Sequence, residues 1–469
     1  MPELCFVLMP FGTKTDGNKK EIDFNKVYGS FIKKAIEQAG LTPIRADEEK
    51  GGGFIHKPMY ERLLYCEFAI ADLSFANANV FYELGIRHAA KPFTTISIFE
   101  SNTKLPFDVA PLRAMPYSFE SGEVTHCEQN IKTLSDLIQI NLNAQQAQND
   151  SPIGEMIPNY DFPVLNALQA NAESFKEVIR ETQDTKQKIQ NLVKQWKQWD
   201  KKKEENQSSP DEKALAEQEM QKLTQQVTTI EKEAGKGLKY NYDLVYALMS
   251  AYKTMNVFAE VVRMIRPMVA QERKGDIYLH QQLALALNKT KERNEAEKVL
   301  TNIIQQYGAD PETNGLLGSV YKGLMDDNVN DELLAPAYRH KSVEAYLSGF
   351  DADPRDYYPG VNALSLLYFD NPGDERFKKY FPLVYYSVQR QLEVNKNNYW
   401  VQATALELSA LELNETNAIN YLAAALTCNP AQWEKTTTAD NLKKIYSRAL
   451  LLKDKEQLKW LNTCIAKLS

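Results

Sequence analysis

Residues 277–311 read IYLHQQLALALNKTKERNEAEKVLTNIIQQYGADP, and this stretch decides the architecture of the C-terminal half. Leu283, Ala284 and Leu287 fall on one helical face, Ala296, Leu300 and Ile303 on one face of the next helix, and the pair closes at Asp310 and Pro311. Large residues alternating with small ones at helical spacing describe two helices that approach each other closely. The pattern recurs as Leu317, Gly318 and Tyr321, then Ser342, Tyr346 and Gly349, closing at Asp353 and Pro354, and again at Ala418, Leu422, Ala425 and Pro430. In the second unit 24 residues separate Gly318 from Ser342 where the first has 12 between Ala284 and Ala296, so about a dozen residues around DDNVNDELLAPAY (326–338) are inserted between its helices.

These positions match those of tetratricopeptide helix pairs, which implies that neighbouring pairs stack into a solenoid, each burying an apolar face that no single pair could close. Upstream of the array, residues 170–235 carry helical spacing with high charge and few large apolar anchors, and the run KQWKQWDKKKEENQSSPDEK breaks at Ser208, Ser209 and Pro210. A charged helical hairpin with an exposed turn follows from that pattern. A basic nucleic-acid stripe does not, because Asp200, Glu204 and Glu205 interrupt it.

The first 120 residues have a different grammar. Short apolar runs at Leu4 to Met9, Leu41 to Ile44, Phe68 to Leu73, Thr94 to Phe99 and Met115 to Phe119 alternate with amphipathic helical segments. The expected fold is a doubly wound, flavodoxin-like parallel sheet, with every strand's carboxyl end along one edge, where ligands of such folds bind. The expected division is an α/β domain over 1–145, a connector over 146–170, the charged hairpin over 171–235 and the helical array over 236–469.

Composition narrows the function. With 469 residues, 43% of them hydrophobic, the chain can bury two or three cores. A net charge of −7 argues against wrapping nucleic acid, which needs a basic face. Five scattered cysteines without a CxxC pair suggest neither a disulfide framework nor a zinc knuckle, and a reducing cytoplasmic setting fits them. No apolar run spans a bilayer, and the start MPELCFVLMP lacks signal-peptide features, so the mature chain is expected to begin near Met1. The five histidines form no metal-binding spacing, Asn18 stands where a phosphate loop in GTKTDGNK (12–19) would need lysine, and no GxSxG elbow is present.

Two family resemblances sharpen the expectation. SVYKGLMDD (319–327), YRHKSVEAYLSGFDADPRDYYPGVNALSLL (338–367) and NNYWVQATALELSALELNETNAINYLAAALTCNPAQW (397–433) resemble the TRAF-binding region of apoptosis signal-regulating kinases, over roughly 170 to 460. No HRD or DFG motif accompanies them, so a free-standing, bacterial relative of the regulatory part is expected, with protein partners or self-association through the array. CFVLMPFG (5–12), RADEE (45–49) and IADLSFANANVFYELGIRHAAKP (70–92) resemble the nucleoside 2-deoxyribosyltransferase-like superfamily, a neighbour of TIR domains.

That second resemblance implies N-glycosidase chemistry on NAD or a related nucleotide or nucleoside, with no cofactor or metal required and a role in bacterial defence. Glu83 would be the nucleophile, since a carboxylate can stabilise or capture an oxocarbenium-like sugar; its alternative is a first-turn acid favoured by the helix dipole. Asp72 would contact sugar hydroxyls or serve as a turn aspartate. Asn79 either orients Glu83 or caps the helix. Met9, Pro10, Phe11 and Gly12 could cradle phosphate and stack on a base, or form an ordinary tight turn. Arg45 and Asp47 could bind phosphate or hydroxyls, or make a surface ion pair. The triple glycine Gly51 to Gly53 could form a loop that folds over ligand. The rival expectation is a non-catalytic module that senses a nucleotide or scaffolds partner proteins.

Overall fold

The chain is described by a computed structural model covering residues 3–15, 20–45, 56–91, 94–106, 109, 114–142, 150–153, 165–204, 209–235, 238, 241–271 and 275–468. It divides into two compact units, Met1–Val257 and Phe258–Ser469.

The first unit is built on strands β1 (Leu4–Leu8), β4 (Thr42–Arg45), β5 (Phe68–Asp72), β6 (Thr95–Glu100) and β7 (Ala114–Tyr117), all parallel in the order β4-β1-β5-β6-β7. This is the expected flavodoxin-like order, and it puts the topological switch point between β1 and β5. Alternation along the strands sorts the core into two layers. Cys5, Val7 and Met9 face a layer formed with the helical run α1 (24–38) and α4 (Cys127–Leu142), whereas Leu4, Phe6 and Leu8 face α2 (His56–Tyr65) and α3 (Ala78–Ala90). α1 contains one π turn, Tyr28–Ile32, between the α segments Phe24–Val27 and Lys33–Gln38.

Two small hairpins escaped the sequence reading: β2 (Thr13–Thr15) with β3 (Glu21–Asp23), and β8 (Phe119–Glu120) with β9 (Glu123–Val124). Their strands are two or three residues long, too short for a periodic pattern. The charged hairpin is present as α5 (Leu165–Glu204) and α6 (Pro210–Ala234). Ser209 caps α6 in a capping box with Glu212, and Pro210 occupies the first helical position, where its missing N–H costs nothing. α7 (Tyr242–Thr254) belongs to the same unit, and its Asp243 makes a buried ion pair with Arg62 of α2, Nη2 to Oδ2 at 2.6 Å.

The second unit is all helical among its described residues: α8 (Phe258–Ala270), α9 (Ile277–Lys289), α10 (Arg293–Tyr307), α11 (Pro311–Asp327), α12 (Leu334–Ala352), α13 (Tyr357–Asp370), α14 (Glu375–Val394), α15 (Tyr399–Leu411), α16 (Glu415–Thr427), α17 (Gln432–Ala449) and α18 (Lys459–Leu468). The three prolines read as repeat ends stand at junctions: Asp310 caps α11 with Pro311 at its first position, Pro354 lies between α12 and the Asp356 cap of α13, and Pro430 lies between α16 and α17. The side chains of Asp276 and Asn398 cap α9 and α15 in the same way. The insertion is absorbed as longer helices, α11 and α12, which pack on each other more extensively than any other described pair. α9, α11, α13, α15 and α17 form one layer, each touching the next, and a single apolar cluster runs without a break from Val343 of α12 to Leu468 of α18.

Small residues set the helix spacing. A Cβ added at Gly318 of α11 would lie 2.7 Å from the Tyr346 ring of α12, and one at Gly360 of α13 would lie 2.5 Å from Val384 of α14. Both positions are closed to any larger residue without movement of the neighbouring helix.

Candidate functional site

At the carboxyl edge of the sheet the expected residues fall into three groups. In the first, Arg45 at the end of β4 reaches across to the turn that follows β1. Its guanidinium lies 4.2 Å from the Tyr28 ring centroid and 5.7 Å from that of Phe11. Nη2 donates to Asn25 Oδ1 at 2.9 Å, while Nη1 donates to the Phe24 carbonyl at 3.4 Å and approaches Met9 Sδ at 4.0 Å. Planar stacking plus fixed acceptors holds the fork in one orientation. Pro10 and Met9 are buried, Phe11 is 38% exposed, and Gly12 takes a left-handed φ of 64° while its carbonyl accepts the Phe24 N–H at 3.0 Å. Asp47 and Gly51 to Gly53 lie outside the described residues.

The second group centres on Asp72, fully buried at the end of β5. Oδ1 accepts the Ser74 N–H at 3.0 Å and the Ser74 hydroxyl, and Oδ2 accepts the Tyr117 hydroxyl at 2.8 Å. The Ser74 hydroxyl in turn accepts the Glu100 N–H at 2.8 Å. Glu100, also buried, pairs with Lys20 at 2.6 Å. Burial pushes the Asp72 carboxyl up to about 6, against the opposing pull of the bonds from Ser74 and Tyr117. Three strand ends are thereby bolted together through one carboxylate. The next residues, Phe75 and Ala76, both have left-handed φ, 60° and 49°, a strained pair beside the switch point.

Glu83 forms the third group. It is half-buried on α3, and among the described residues its carboxylate makes no hydrogen bond. Burial alone pushes it up to about 7. Its field reaches Tyr60 of α2, whose hydroxyl stands 3.2 Å from that of Tyr82. The helix cap is Asn77, whose side chain accepts the Asn79 and Val80 N–H groups, while Asn79 is an exposed first-turn residue. His88 is buried, and burial beside Arg87 lowers it to about 4, in keeping with a structural histidine.

Sequence reading missed Ser74, Tyr117, Glu100 and Arg87. The Asp-x-Ser spacing is a local turn signal, but nothing local announces that Tyr117, 45 residues on, closes the same carboxylate. Arg87 donates to the carbonyls of Leu63, Cys66 and Glu67, tying the end of α2 to the entry of β5. Among the described residues no cluster of His, Cys, Asp and Glu could hold a metal ion, and no helix is long and apolar enough to cross a membrane.

On the array, Glu407 of α15 accepts the Asn441 amide of α17 at 2.9 Å. Burial raises it to about 7 against the pull of Lys322 from α11 and Lys444 from α17. Burial and Lys444 lower Lys322. Charged groups from three helices therefore meet on one face of the layer.

The chain thus joins a parallel-sheet α/β unit and a stack of packed helices. The MAP3K TRAFs-binding domain matches residues 80–459, and the chain belongs to that family. The match begins inside α3 and takes in Glu83, reaching further toward the N-terminus than the helical motifs indicate. No curated protein matches the chain. Among solved structures, the crystal structure of TTC0263, a thermophilic TPR protein of Thermus thermophilus, is similar at 13% identity with a TM-score of 0.33, over 42% of this chain and 95% of that one.

The Glu83 shift has a testable sign. The folded chain holds this proton more tightly than the unfolded chain, so stability falls as pH rises from the ordinary 4.5 to about 7. Glu83→Gln removes that penalty and is expected to stabilise the protein at pH 8 by on the order of 1–3 kcal/mol, with little effect near pH 4.5. Urea unfolding at the two pH values measures this; a variant no more stable than the parent at pH 8 contradicts the assignment.

Proposed function

We propose that the chain is a protein-interaction module whose helical array docks a TRAF-type partner on the layer formed by α9, α11, α13, α15 and α17. The family match over 80–459 carries this reading. The face where Lys322, Glu407, Asn441 and Lys444 converge supports it, since a partner crossing several helix pairs meets charged and hydrogen-bonding groups in one place. The absence of a membrane-crossing helix among the described residues is compatible with action in the cytoplasm. Biolayer interferometry of the full chain against a panel of purified TRAF proteins tests the proposal. Saturable binding is expected, weakened about tenfold, or ~1.4 kcal/mol, in a Lys322→Glu, Lys444→Glu double variant. Binding to none of the panel contradicts the partner class, and binding indifferent to the double variant contradicts the face.

A second reading concerns the first unit. We propose that it takes a nucleotide or nucleoside, NAD among the candidates, and cleaves the base–sugar bond in the manner of deoxyribosyltransferase-like and TIR-like N-glycosidases. The favouring observation is Glu83: half-buried, without a hydrogen bond among the described residues, and near neutral. Those are properties of a group tuned for reaction. Attack by its carboxylate at the anomeric carbon would release the base with the bonding electron pair, and water would then discharge the sugar. Nicotinamide, already cationic in NAD, leaves without an added proton. Chromatography of bases released from NAD, NADP and a nucleoside panel should show a product that disappears with Glu83→Gln. Equal turnover in the variant contradicts Glu83 as nucleophile, and no release from any substrate leaves the sensing or scaffolding alternative.

A further inference from the structure

The insertion around 326–338 lengthens its helix pair at one end only. Gly318 is the eighth residue of α11 as Ala284 is of α9, yet α11 runs to 17 residues and α9 to 13. Ser342 is the ninth residue of α12, whereas its counterpart Ala296 is the fourth of α10. The extra residues of both helices therefore lie beside the connecting turn. At ~1.5 Å per residue they carry that turn roughly 6–7 Å past the turn of the preceding pair.

Three aliphatic side chains stand in water on this turn: Val329 is 71% exposed, Leu333 82% and Leu334 43%. The backbone around them is fixed. Asn328 Nδ2 donates to the Leu324 carbonyl at 2.8 Å, and the Asp331 N–H donates to the Asn328 carbonyl at 2.8 Å. Asp331 Oδ1 accepts the N–H groups of Leu333 and Leu334, each at 2.9 Å. The turn thus holds its form without burying its apolar residues, and a partner would not have to order it. Aliphatic groups gathered on a built, projecting turn add nothing to the core of the array and mark a contact surface.

The charge around the turn defines what covers it. Residues 323–338 contain four carboxylates, Asp326, Asp327, Asp331 and Glu332, and no lysine or arginine. All four are exposed. Asp327 pairs with Arg293 of α10, while among the described residues Asp326, Asp331 and Glu332 make no ion pair. An apolar tip ringed by negative charge is complementary to an apolar pocket with a basic rim, and is repelled by an anionic lipid surface.

We propose that the turn 328–334 is an anchor: Val329, Leu333 and Leu334 enter an apolar pocket on the protein partner of the array, and a Lys/Arg rim on that partner meets Asp326 and Glu332. The proposal rests on the reading of the array as a docking module for a TRAF-type partner, and adds a second contact to it.

Biolayer interferometry of the full chain against the TRAF panel tests the anchor, with each variant checked for an unchanged circular dichroism spectrum. A Val329→Ser, Leu333→Ser double variant should bind about tenfold more weakly than the parent. Glu332→Lys should bind about threefold more weakly at low salt, with the deficit shrinking as salt rises. Binding that the serine variant leaves unchanged overturns the anchor and leaves the array reading standing. Glu332→Lys binding as tightly as the parent at low salt overturns the basic rim and the proposal with it. A parent that binds no member of the panel contradicts the array reading, and the anchor falls with it. Flotation of the parent with phosphatidylcholine vesicles, abolished in the serine variant, overturns the proposal as well, because the tip would then be a lipid anchor.

Discussion

The array depends on how closely neighbouring helices can approach. A helix pair that buries one apolar face cannot close a core alone, so each pair's stability resides largely in its contact with the next. Gly318 against the Tyr346 ring and Gly360 against Phe350 and Val384 are two places where that contact leaves no room for a Cβ. Around them the apolar cluster extends from α12 to α18 without interruption. The same stacking places Lys322, Glu407 and Lys444, distant in sequence, on one face of the layer.

The α/β unit obeys a different constraint. Its parallel strands end along one edge, and the edge is organised by charges that the core cannot leave unmatched. Asp72 gathers Ser74 and Tyr117, Arg45 is held by rings and carbonyls, and Arg62 is matched by Asp243 of α7. Asp72 has both oxygens committed within the protein, whereas Glu83 is held near neutrality by burial alone. The two carboxylates that sequence reading would treat as partners thus sit in opposite electrostatic situations. The first holds strand ends together; the second makes no hydrogen bond among the described residues.

Much of this was legible in the sequence. The apolar runs CFVLM and FAIAD and the amphipathic pattern over 27–36 are local signals, and they yield the sheet and its flanking helices. Gly318 and Tyr346 are legible as repeat positions because the repeat itself supplies the long-range information. What was not legible is tertiary pairing without a repeat. Tyr117 meeting Asp72 and Arg62 meeting Asp243 both join distant segments. Asn77 rather than Asn79 caps α3 because the side chain must bond N–H groups two and three residues on, a geometric choice among adjacent asparagines that spacing alone leaves open.

The central claim, that the array is a stack held by nearest-neighbour approach and so presents a continuous docking face, is tested most directly by hydrogen exchange on the full chain carrying Gly318→Val. The extra side chain cannot fit beside Tyr346 without parting α11 from α12. Protection should be lost in α11 and α12, less so in α13 and α10, with β1 and β5 unchanged. Exchange indistinguishable from the parent in α11 and α12, or protection lost uniformly across both units, would contradict it.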